Sequence, residues 1–362
     1  MEIQEKIYSF KDAANGIRFE KDPYGLGAYM TGEGIRKTFL SAPALEDMDE
    51  PMMEVVTVDG VVAGRNMMYP SRLKVYSDVV SVTSGSSLHV KEEYRQLALG
   101  VNLLMYPTAI KRPLLYAGLS TMAEPLYRKM KYAIFVIPKM WQIRNAAPIL
   151  KSIGMKGWLL NVVKSCMNPL LSIFVAAGRR ASKEHLCQYR IERFTTAPQW
   201  MEDIVLSDRH KYAELHDRKW MQWVLDHNFF ERKEDKQYLY GVYKSEKPVG
   251  FLLMAERNFP IPEKNIDRCV YGYVLDWDTI DNSIIDEKQL KTIALSLFSD
   301  DVDIVQIDSL DKNVRNSMKR YGFIPHGYEN IGFKDTTKKL DKDWRDAANW
   351  RLRASYSDRP FY

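Results

Sequence analysis

The sequence predicts an α+β protein built from two tandem domains, each a mixed, mostly antiparallel sheet flanked by helices. Its 362 residues exceed one ordinary core, since a domain holds about 150 residues. Runs of β-branched residues joined by tight turns alternate with segments of helical spacing, which is typical of a layered α+β architecture. The element order of the first half recurs at an offset of about 190 residues, which indicates a duplicated domain.

The composition indicates a soluble globular protein, because 46% of the residues are hydrophobic and 27% are charged. A net charge of +5 without a basic tail gives no reason to expect a nucleic-acid partner. Cys166, Cys187 and Cys269 are too far apart for a disulfide framework or a Cys-x-x-Cys metal site. The first residues lack a secretory signal. We therefore expect a cytoplasmic protein that needs no metal.

The first domain opens with a hairpin and a long strand. Two β-branched runs at 54–58 and 61–63 flank Asp59 and Gly60, and an Asp-Gly pair between such runs favours a tight hairpin turn. One long strand region is predicted over 73–90, with Gly85 at a bulge or kink.

Helix and strand signals then alternate up to residue 142. Apolar residues at helical spacing predict a helix over 92–110. A short buried strand at 113–119, a helix at 122–131 and a closing strand pair at 133–142 follow. These elements, with the hairpin before them, form the first predicted domain, residues 1–145.

A basic, apolar, helical connector is predicted over 146–188. Between residues 151 and 190 there are seven basic residues and one acidic residue, so the net charge is 7 − 1 = +6. Lys164 and Pro169 interrupt the apolar run that a membrane-spanning helix needs. We expect helices packed between the domains; the alternative is peripheral membrane contact through 156–183.

The second predicted domain, residues 189–362, repeats the order of the first. A hairpin at 238–243 and 248–254 precedes a strand at 270–277, and a helix at 287–298, a strand at 303–307 and a helix at 311–320 follow. Final strands begin at Gly322. The tail at 344–356 is expected to add a helix and a strand.

The strongest functional signal is the passage from strand to helix after Leu88-His89-Val90. Backbone N–H groups at a helix N-terminus form an anion site, and small residues let a pyrophosphate approach them. The segment resembles the GNAT acyltransferase signature, Gln/Arg-x-x-Gly-x-Gly/Ala, with Ala98 at a position where that superfamily prefers Gly. The resemblance implies binding of acetyl-CoA or another acyl-CoA by Leu88, Val90, Arg95, Gln96, Leu97, Ala98, Leu99, Gly100 and Ser120.

A second segment, from Ser120 to Tyr132, resembles the next GNAT motif, Asn-x-x-Ala-x-x-Leu-Tyr. Ser120 replaces the Asn, while Ala123, Leu126 and Tyr127 match. The resemblance implies that Tyr127 protonates the leaving thiolate, a role that suits a phenol with a pKa of about 10. The alternative is a structural tyrosine under the helix.

No general base is evident, because residues 82–88 contain no carboxylate. His89 has a suitable pKa, although a structural role is the alternative, and a water relay through Ser86 or Ser87 is another. Strand N–H groups near Leu88 could polarise the thioester carbonyl.

The second copy lacks these features. Met318 occupies the position of Tyr127, and the segment 278–287 carries acids in place of the loop. We expect no CoA binding there. An acceptor wall formed by Trp220, Trp223, Tyr273 and Asp276 is one interpretation, and core packing of the two tryptophans is the other.

The predicted function is transfer of an acetyl or other short acyl group from acyl-CoA to a primary amine. By a loose resemblance to bacterial polysaccharide-locus proteins, the expected acceptor is a small amine such as an amino sugar or its nucleotide-linked form. The alternatives are a Fem-type peptidyltransferase that uses aminoacyl-tRNA, and a non-catalytic binding protein.

Overall fold

The computed structural model of the chain describes residues 1–362 and divides into two compact units. Unit 1 comprises Met1–Val136, Arg209–Glu231 and Glu329–Tyr362, and unit 2 comprises Ile137–Asp208 and Arg232–Tyr328. Each unit has a mixed sheet with helices against it, which confirms the predicted α+β class. The units are not contiguous in sequence, unlike the predicted domains 1–145 and 189–362.

The sheet of unit 1 has the strand order β1-β2-β3-β4-β5-β13, and β8 pairs with β3. All neighbours are antiparallel except β4 and β5, which are parallel. The strands are β1 (Ile3–Ser9), β2 (Pro51–Val58), β3 (Val61–Val75), β4 (Asp78–Val90), β5 (Leu114–Ala117), β8 (Tyr212–Glu214) and the end of β13 (Phe323–Lys334).

Two tight turns shape the long strands of unit 1. Asp59 and Gly60 join β2 to β3 with φ angles of 48° and 78°, as the predicted hairpin turn requires. The single long strand predicted over 73–90 is wrong, because Tyr76 has a φ of 56° and reverses the chain between β3 and β4.

Six helices belong to unit 1, and the element predicted over 92–110 is divided. Residues 92–97 form a 3-10 helix, and the α-helix begins only after Ala98, which has a φ of 56°. The helices are α1 (Phe10–Asn15), α2 (Leu26–Met30), α3 (Glu33–Leu40), α4 (Leu99–Ala109), α5 (Glu124–Lys129) and α9 (Arg218–Asp226).

Unit 2 has a sheet in the order β6-β12-β11-β10-β9-β7, in which only β11 and β12 are parallel. Its strands are β6 (Ala133–Ile143), β7 (Arg190–Phe194), β9 (Lys236–Lys244), β10 (Lys247–Asn258), β11 (Val270–Thr279) and β12 (Ile304–Asp308). Its helices are α6 (Ala147–Ser152), α7 (Gly157–Leu186), α8 (Gln199–Leu206), α10 (Glu287–Leu297) and α11 (Lys312–Lys319).

Each unit receives its last strand from the other half of the sequence. In unit 1, β5 pairs with residues 331–334 of β13, and in unit 2, β12 pairs with residues 139–143 of β6. The predicted strand pairs at 133–142 and after Gly322 are therefore single strands. The tail forms only short 3-10 turns, at Lys342–Arg345, Ala347–Asn349 and Arg359–Phe361, where we had expected a helix and a strand.

Candidate active site

The parallel strands β4 and β5 separate and leave an opening between their ends. They pair only where Thr83–Gly85 faces Leu114–Tyr116. Beyond that point Ser87 adopts a φ of 54°, and the register with β3 places no partner opposite Ser87 and Leu88. The bulge predicted at Gly85 lies at these two residues instead. A bulge takes backbone groups out of the regular ladder, and Ser87 and Leu88 are the residues displaced in this way.

Gly85 has a different role, because the ring of Tyr116 lies directly against it. A Cβ atom at Gly85 would stand 1.8 Å from Tyr116 Cε1, a distance that no side chain can accommodate. Tyr116 is buried. Its ring therefore closes the inner end of the opening between β4 and β5.

A cavity of about 190 Å³ occupies this opening. Three of the predicted site residues, Leu88, Ser120 and Tyr127, lie in its wall. The complete lining is Gly85, Ser86, Ser87, Leu88, Tyr116, Ala117, Gly118, Leu119, Ser120, Ala123, Tyr127, Asp358, Arg359 and Tyr362. The structure thus brings Leu88 of β4 together with Ser120 and Tyr127 of the second motif, whereas Arg95 to Gly100 do not line the cavity.

Tyr127 reaches the cavity from α5 and is held by two other tyrosines. Its ring centroid lies 5.1 Å from that of Tyr116 and 4.9 Å from that of Tyr132, both edge-on. Burial, followed by the neighbouring tyrosines, raises the pKa of Tyr127 well above its usual value. The hydroxyl therefore keeps its proton and can act only as a donor of it.

The remaining predicted CoA-binding residues surround the N-terminus of α4. No side chain caps this helix end at Ala98. The N–H of Val101 donates to the Ala98 carbonyl at 2.9 Å, so the N–H groups of Leu99 and Gly100 are the ones that an anion can approach. Arg95 is exposed, and its Nε donates to the carbonyl of Val90 at 3.3 Å. A Cβ at Gly100 would lie 3.8 Å from Val90 Cγ2, so this glycine packs beside the end of β4.

Three further residues of the predicted loop differ in exposure. Gln96 is exposed, Leu97 is half-buried, and Leu99 is fully buried. Leu97 and Leu99 pack in one apolar cluster with Leu103. These two leucines can therefore contact a bound CoA only through the backbone, whereas the side chain of Gln96 is accessible.

The C-terminal segment supplies cavity residues that the sequence did not reveal. Ser357 has a φ of 59°, donates from its N–H to Glu214 Oε2 at 2.8 Å, and donates from Oγ to the carbonyl of Gly85 at 3.1 Å. These bonds fix the segment against β4, so Asp358, Arg359 and Tyr362 enter the cavity wall. The only sequence signal was the Asp358-Arg359-Pro360 turn.

Asp358 supplies a carboxylate in the cavity wall, whereas residues 82–88 of the strand before the loop contain none. It is 2% exposed and accepts a hydrogen bond from Ser86 Oγ. Burial raises its pKa to about 6, against the lowering effects of the Ser86 bond and of Arg359. A carboxylate with such a pKa is ionised at neutral pH and is a stronger base than an ordinary aspartate.

Tyr362 and Arg359 complete the polar side of the cavity. The hydroxyl of Tyr362 lies 2.6 Å from Ser87 Oγ and 2.8 Å from the hydroxyl of Tyr29. Arg359 pairs with the buried Glu329, with Nε 3.0 Å from Oε1. Ser86 and Ser87, proposed from sequence as water relays, are thus bonded to Asp358 and Tyr362.

Other residues considered from sequence lie elsewhere. His89 is exposed and is not in the cavity wall. Trp220 and Trp223 are buried in α9 of unit 1, where Trp223 Nε1 donates to the Thr38 carbonyl at 2.8 Å. Tyr273 and Asp276 belong to unit 2. For the two tryptophans, core packing in unit 1 is therefore the correct interpretation.

Comparison with known proteins places the fold. No protein-family profile and no curated sequence matches the chain. N-myristoyltransferase of Saccharomyces cerevisiae, solved with bound myristoyl-CoA and inhibitors, has a TM-score of 0.56 at 12% identity, covering 92% of this chain and 80% of that one. A probable N-acyltransferase of Enterococcus faecalis V583 has a TM-score of 0.51 at 10% identity, covering 91% and 72%.

A GCN5-related N-acetyltransferase of Anabaena variabilis is also similar, with a TM-score of 0.49, 13% identity and 86% of this chain covered. This chain spans 65% of that protein's length. The chain has the GNAT fold, as its motifs predicted.

Proposed function

We propose that this protein transfers an acyl group from an acyl-CoA thioester to a primary amine in the cavity between β4 and β5. The observation that carries the proposal is the convergence of a proton acceptor, Asp358, and a proton donor, Tyr127, on one cavity. The N-terminus of α4, which follows β4 after the 3-10 helix at 92–97, has no side-chain cap, and it supplies N–H donors for a pyrophosphate.

The residues have distinct chemical roles in this reaction. Asp358 accepts a proton from the ammonium form of the acceptor, which leaves the amine nitrogen free to attack the thioester carbonyl carbon. The N–H of Leu88 donates to the carbonyl oxygen as negative charge develops there. The C–S bond breaks as the amide bond forms, and Tyr127 donates its proton to the leaving sulfur. The second proton, which the nitrogen loses as the amide forms, restores the phenol of Tyr127.

The cavity favours a short acyl group. Tyr116 closes its inner end against Gly85, and below that point β4 and β5 are joined by the ladder. A long chain has no continuation along this path. Acetyl-CoA is therefore the first donor to test, and myristoyl-CoA is the contrasting one.

The acceptor class we propose is a polar primary amine, such as an amino sugar or its nucleotide-linked form. What supports this choice is the polar side of the cavity, formed by Ser86, Ser87, Asp358, Arg359 and Tyr362. Hydroxyl, carboxylate and guanidinium groups suit a hydroxylated ring better than an alkylamine.

The test combines binding with product detection. Calorimetry with acetyl-CoA should give one site per chain, and release of free thiol should require an amine from a panel of amino sugars, nucleotide-linked amino sugars and peptides. Absence of binding at millimolar acetyl-CoA would refute the proposal. Salt-dependent binding of tRNA without CoA binding would favour the aminoacyl-tRNA reaction instead.

A further inference from the structure

Helix α7 carries the most exposed apolar surface of the molecule. It is long and apolar enough to cross a membrane by length and composition, and no residue of its apolar window is buried. Trp158 is 76% exposed, Leu170 62% and Ile173 63%. Val162 and Phe174 are exposed on the same helix. Contiguous exposed apolar surface of this kind marks an interaction site.

The exposed apolar residues occupy one side of the helix. Residues 158, 162, 166, 169 and 173 recur at intervals of three and four and are exposed, as are Leu170 and Phe174 beside them, whereas 160, 163, 167, 171 and 175 are half-buried. Since positions three and four apart share a helix face, the first set forms a continuous outward stripe. We call this stripe, Trp158 to Phe174, the apolar face of α7.

The opposite side of α7 is fixed to unit 2. Asn168 Oδ1 accepts from the N–H of Ala146 at 2.9 Å, and Ser182 Oγ donates to the carbonyl of Ile293 at 2.8 Å. A Cβ at Gly178 would lie 2.9 Å from Leu295 Cδ1. A helix attached to the protein at residues 168, 178 and 182 lies against unit 2 over this part, which does not suit a bilayer-crossing helix.

The charges around the apolar face are basic. Lys156, Lys164, Arg180 and Lys183 are exposed on α7 or immediately before it, and Glu184 is the one acidic residue between 151 and 190. Positive charge beside an apolar stripe complements a layer of anionic lipid. It opposes pairing with the α7 helix of a second copy, since that would bring like charges together.

We propose that α7 is an in-plane membrane anchor, whose apolar face enters the interfacial layer of an anionic bilayer. Trp158, at the first turn, suits the interfacial region, where tryptophan is enriched. The proposal agrees with the membrane-peripheral location that was an alternative from sequence, and it does not depend on the acyltransferase proposal.

Vesicle flotation tests this anchor with the full-length protein. Vesicles of phosphatidylcholine and phosphatidylglycerol should retain the wild-type protein, and high salt should weaken the binding. The double variant L170E/I173E should bind at least about 10-fold more weakly, because two apolar side chains are lost from the interface. The matched control is L206E/I280E, since Leu206 and Ile280 are exposed apolar residues of unit 2 outside α7.

Cys166 gives an independent readout. It is exposed on the apolar face, whereas Cys269 is buried. A polarity-sensitive dye on Cys166 in a Cys187→Ser background should shift its emission to the blue when vesicles are added. Circular dichroism and acetyl-CoA binding, unchanged in L170E/I173E, would show that the fold and the cavity are intact.

Three results would overturn the anchor. The first is no vesicle binding by the wild-type protein, and the second is equal loss of binding in the two double variants. The third is a dimer in light scattering that L170E/I173E dissociates while vesicles have no effect, which would assign the apolar face to a second copy of the chain.

Discussion

The two units share a strand order but differ where a ligand would enter. In unit 1, β4 and β5 separate around a cavity. In unit 2 the corresponding parallel strands, β11 and β12, also pair over three residues, but Lys291 from α10 lies between their ends. Lys291 is 2% exposed, donates to the Asp308 carbonyl and to Glu287 Oε1, and lies 5.5 Å from the ring of Trp277.

The helices that follow these strands also begin differently. At the N-terminus of α4, Ala98 offers no side-chain cap, whereas Asp286 caps α10 by accepting from the N–H of Gln289. The first N–H groups of α10 therefore have a carboxylate of their own, and a second anion would be repelled. The two units thus share a strand order, but the strand end and the helix end are open only in unit 1.

The largest effect expected is the loss of Asp358 from unit 1. Asp358→Asn should lower kcat/KM by about 100-fold or more, because an amide cannot accept the ammonium proton. Asp346→Asn is the control, since Asp346 is an exposed aspartate in the same C-terminal segment. Steady-state thiol release measures both variants, and an unchanged rate in Asp358→Asn would remove Asp358 from the chemistry.

The pH profile gives a second view of the same residue. Burial raises the pKa of Asp358 to about 6, and the base acts only when ionised. The wild-type kcat/KM should therefore fall about tenfold for each pH unit below this value. A flat profile from pH 5 to pH 7 (about the range over which the group titrates) would contradict the assignment.

Tyr127 and Met318 test the comparison directly, because they occupy equivalent positions in the two copies. Tyr127→Phe should lower kcat by about 10- to 100-fold with little change in CoA affinity, since only the donated proton is lost. Met318→Leu should leave kcat unchanged, because a buried thioether donates no proton. Full turnover in Tyr127→Phe, where chemistry limits the rate, would show that the phenol is structural.

The sequence predicted the parts of this site that are local and missed the part that is not. Leu88, Ser120 and Tyr127 were predicted from segments that are local in sequence, and all three line the cavity. Asp358 follows Ser86 by 272 positions, and its place depends on Ser357 bonding to Glu214 and Gly85. No periodicity in the chain encodes such a long-range contact.

Strand boundaries failed for a related reason. Residues 73–90 are rich in Val, Ser and Thr, and this composition predicted one strand. The chain reverses at Tyr76, whose backbone is left-handed, and no glycine at this position indicated a turn. The exchange of β6 and β13 between the units also escaped prediction, since either strand suits its nearest sheet equally well by composition. In contrast, the hairpin at Asp59 and Gly60 was predicted correctly, because an Asp-Gly pair itself favours this turn geometry.

The charge of Arg95, before α4, gives a smaller expected effect. Arg95→Glu should weaken acetyl-CoA binding by about 10-fold, because a guanidinium–phosphate attraction is replaced by repulsion. Arg193→Glu makes the same charge change at an exposed site of unit 2 and should leave the affinity unchanged. Calorimetry measures the acetyl-CoA affinity of both variants. Equally weakened binding in the two would show that the effect comes from net charge alone and not from the position of Arg95.

The smallest expected effect is at Ala98, where unit 1 departs from the glycine of the GNAT signature. Ala98 has a φ of 56°, a conformation that costs an alanine about 1 kcal/mol and a glycine almost nothing. Ala98→Gly should therefore raise the free energy of unfolding by up to about 1 kcal/mol and tighten CoA binding by a few-fold. The opposite sign is expected for Ala109→Gly, at the end of the same helix, because glycine there only adds chain entropy. Denaturant unfolding of the Ala98→Gly and Ala109→Gly variants isolates the contribution of the Ala98 backbone to the free energy of unfolding. If both substitutions destabilise the protein equally, strain at Ala98 does not explain the superfamily's preference for glycine.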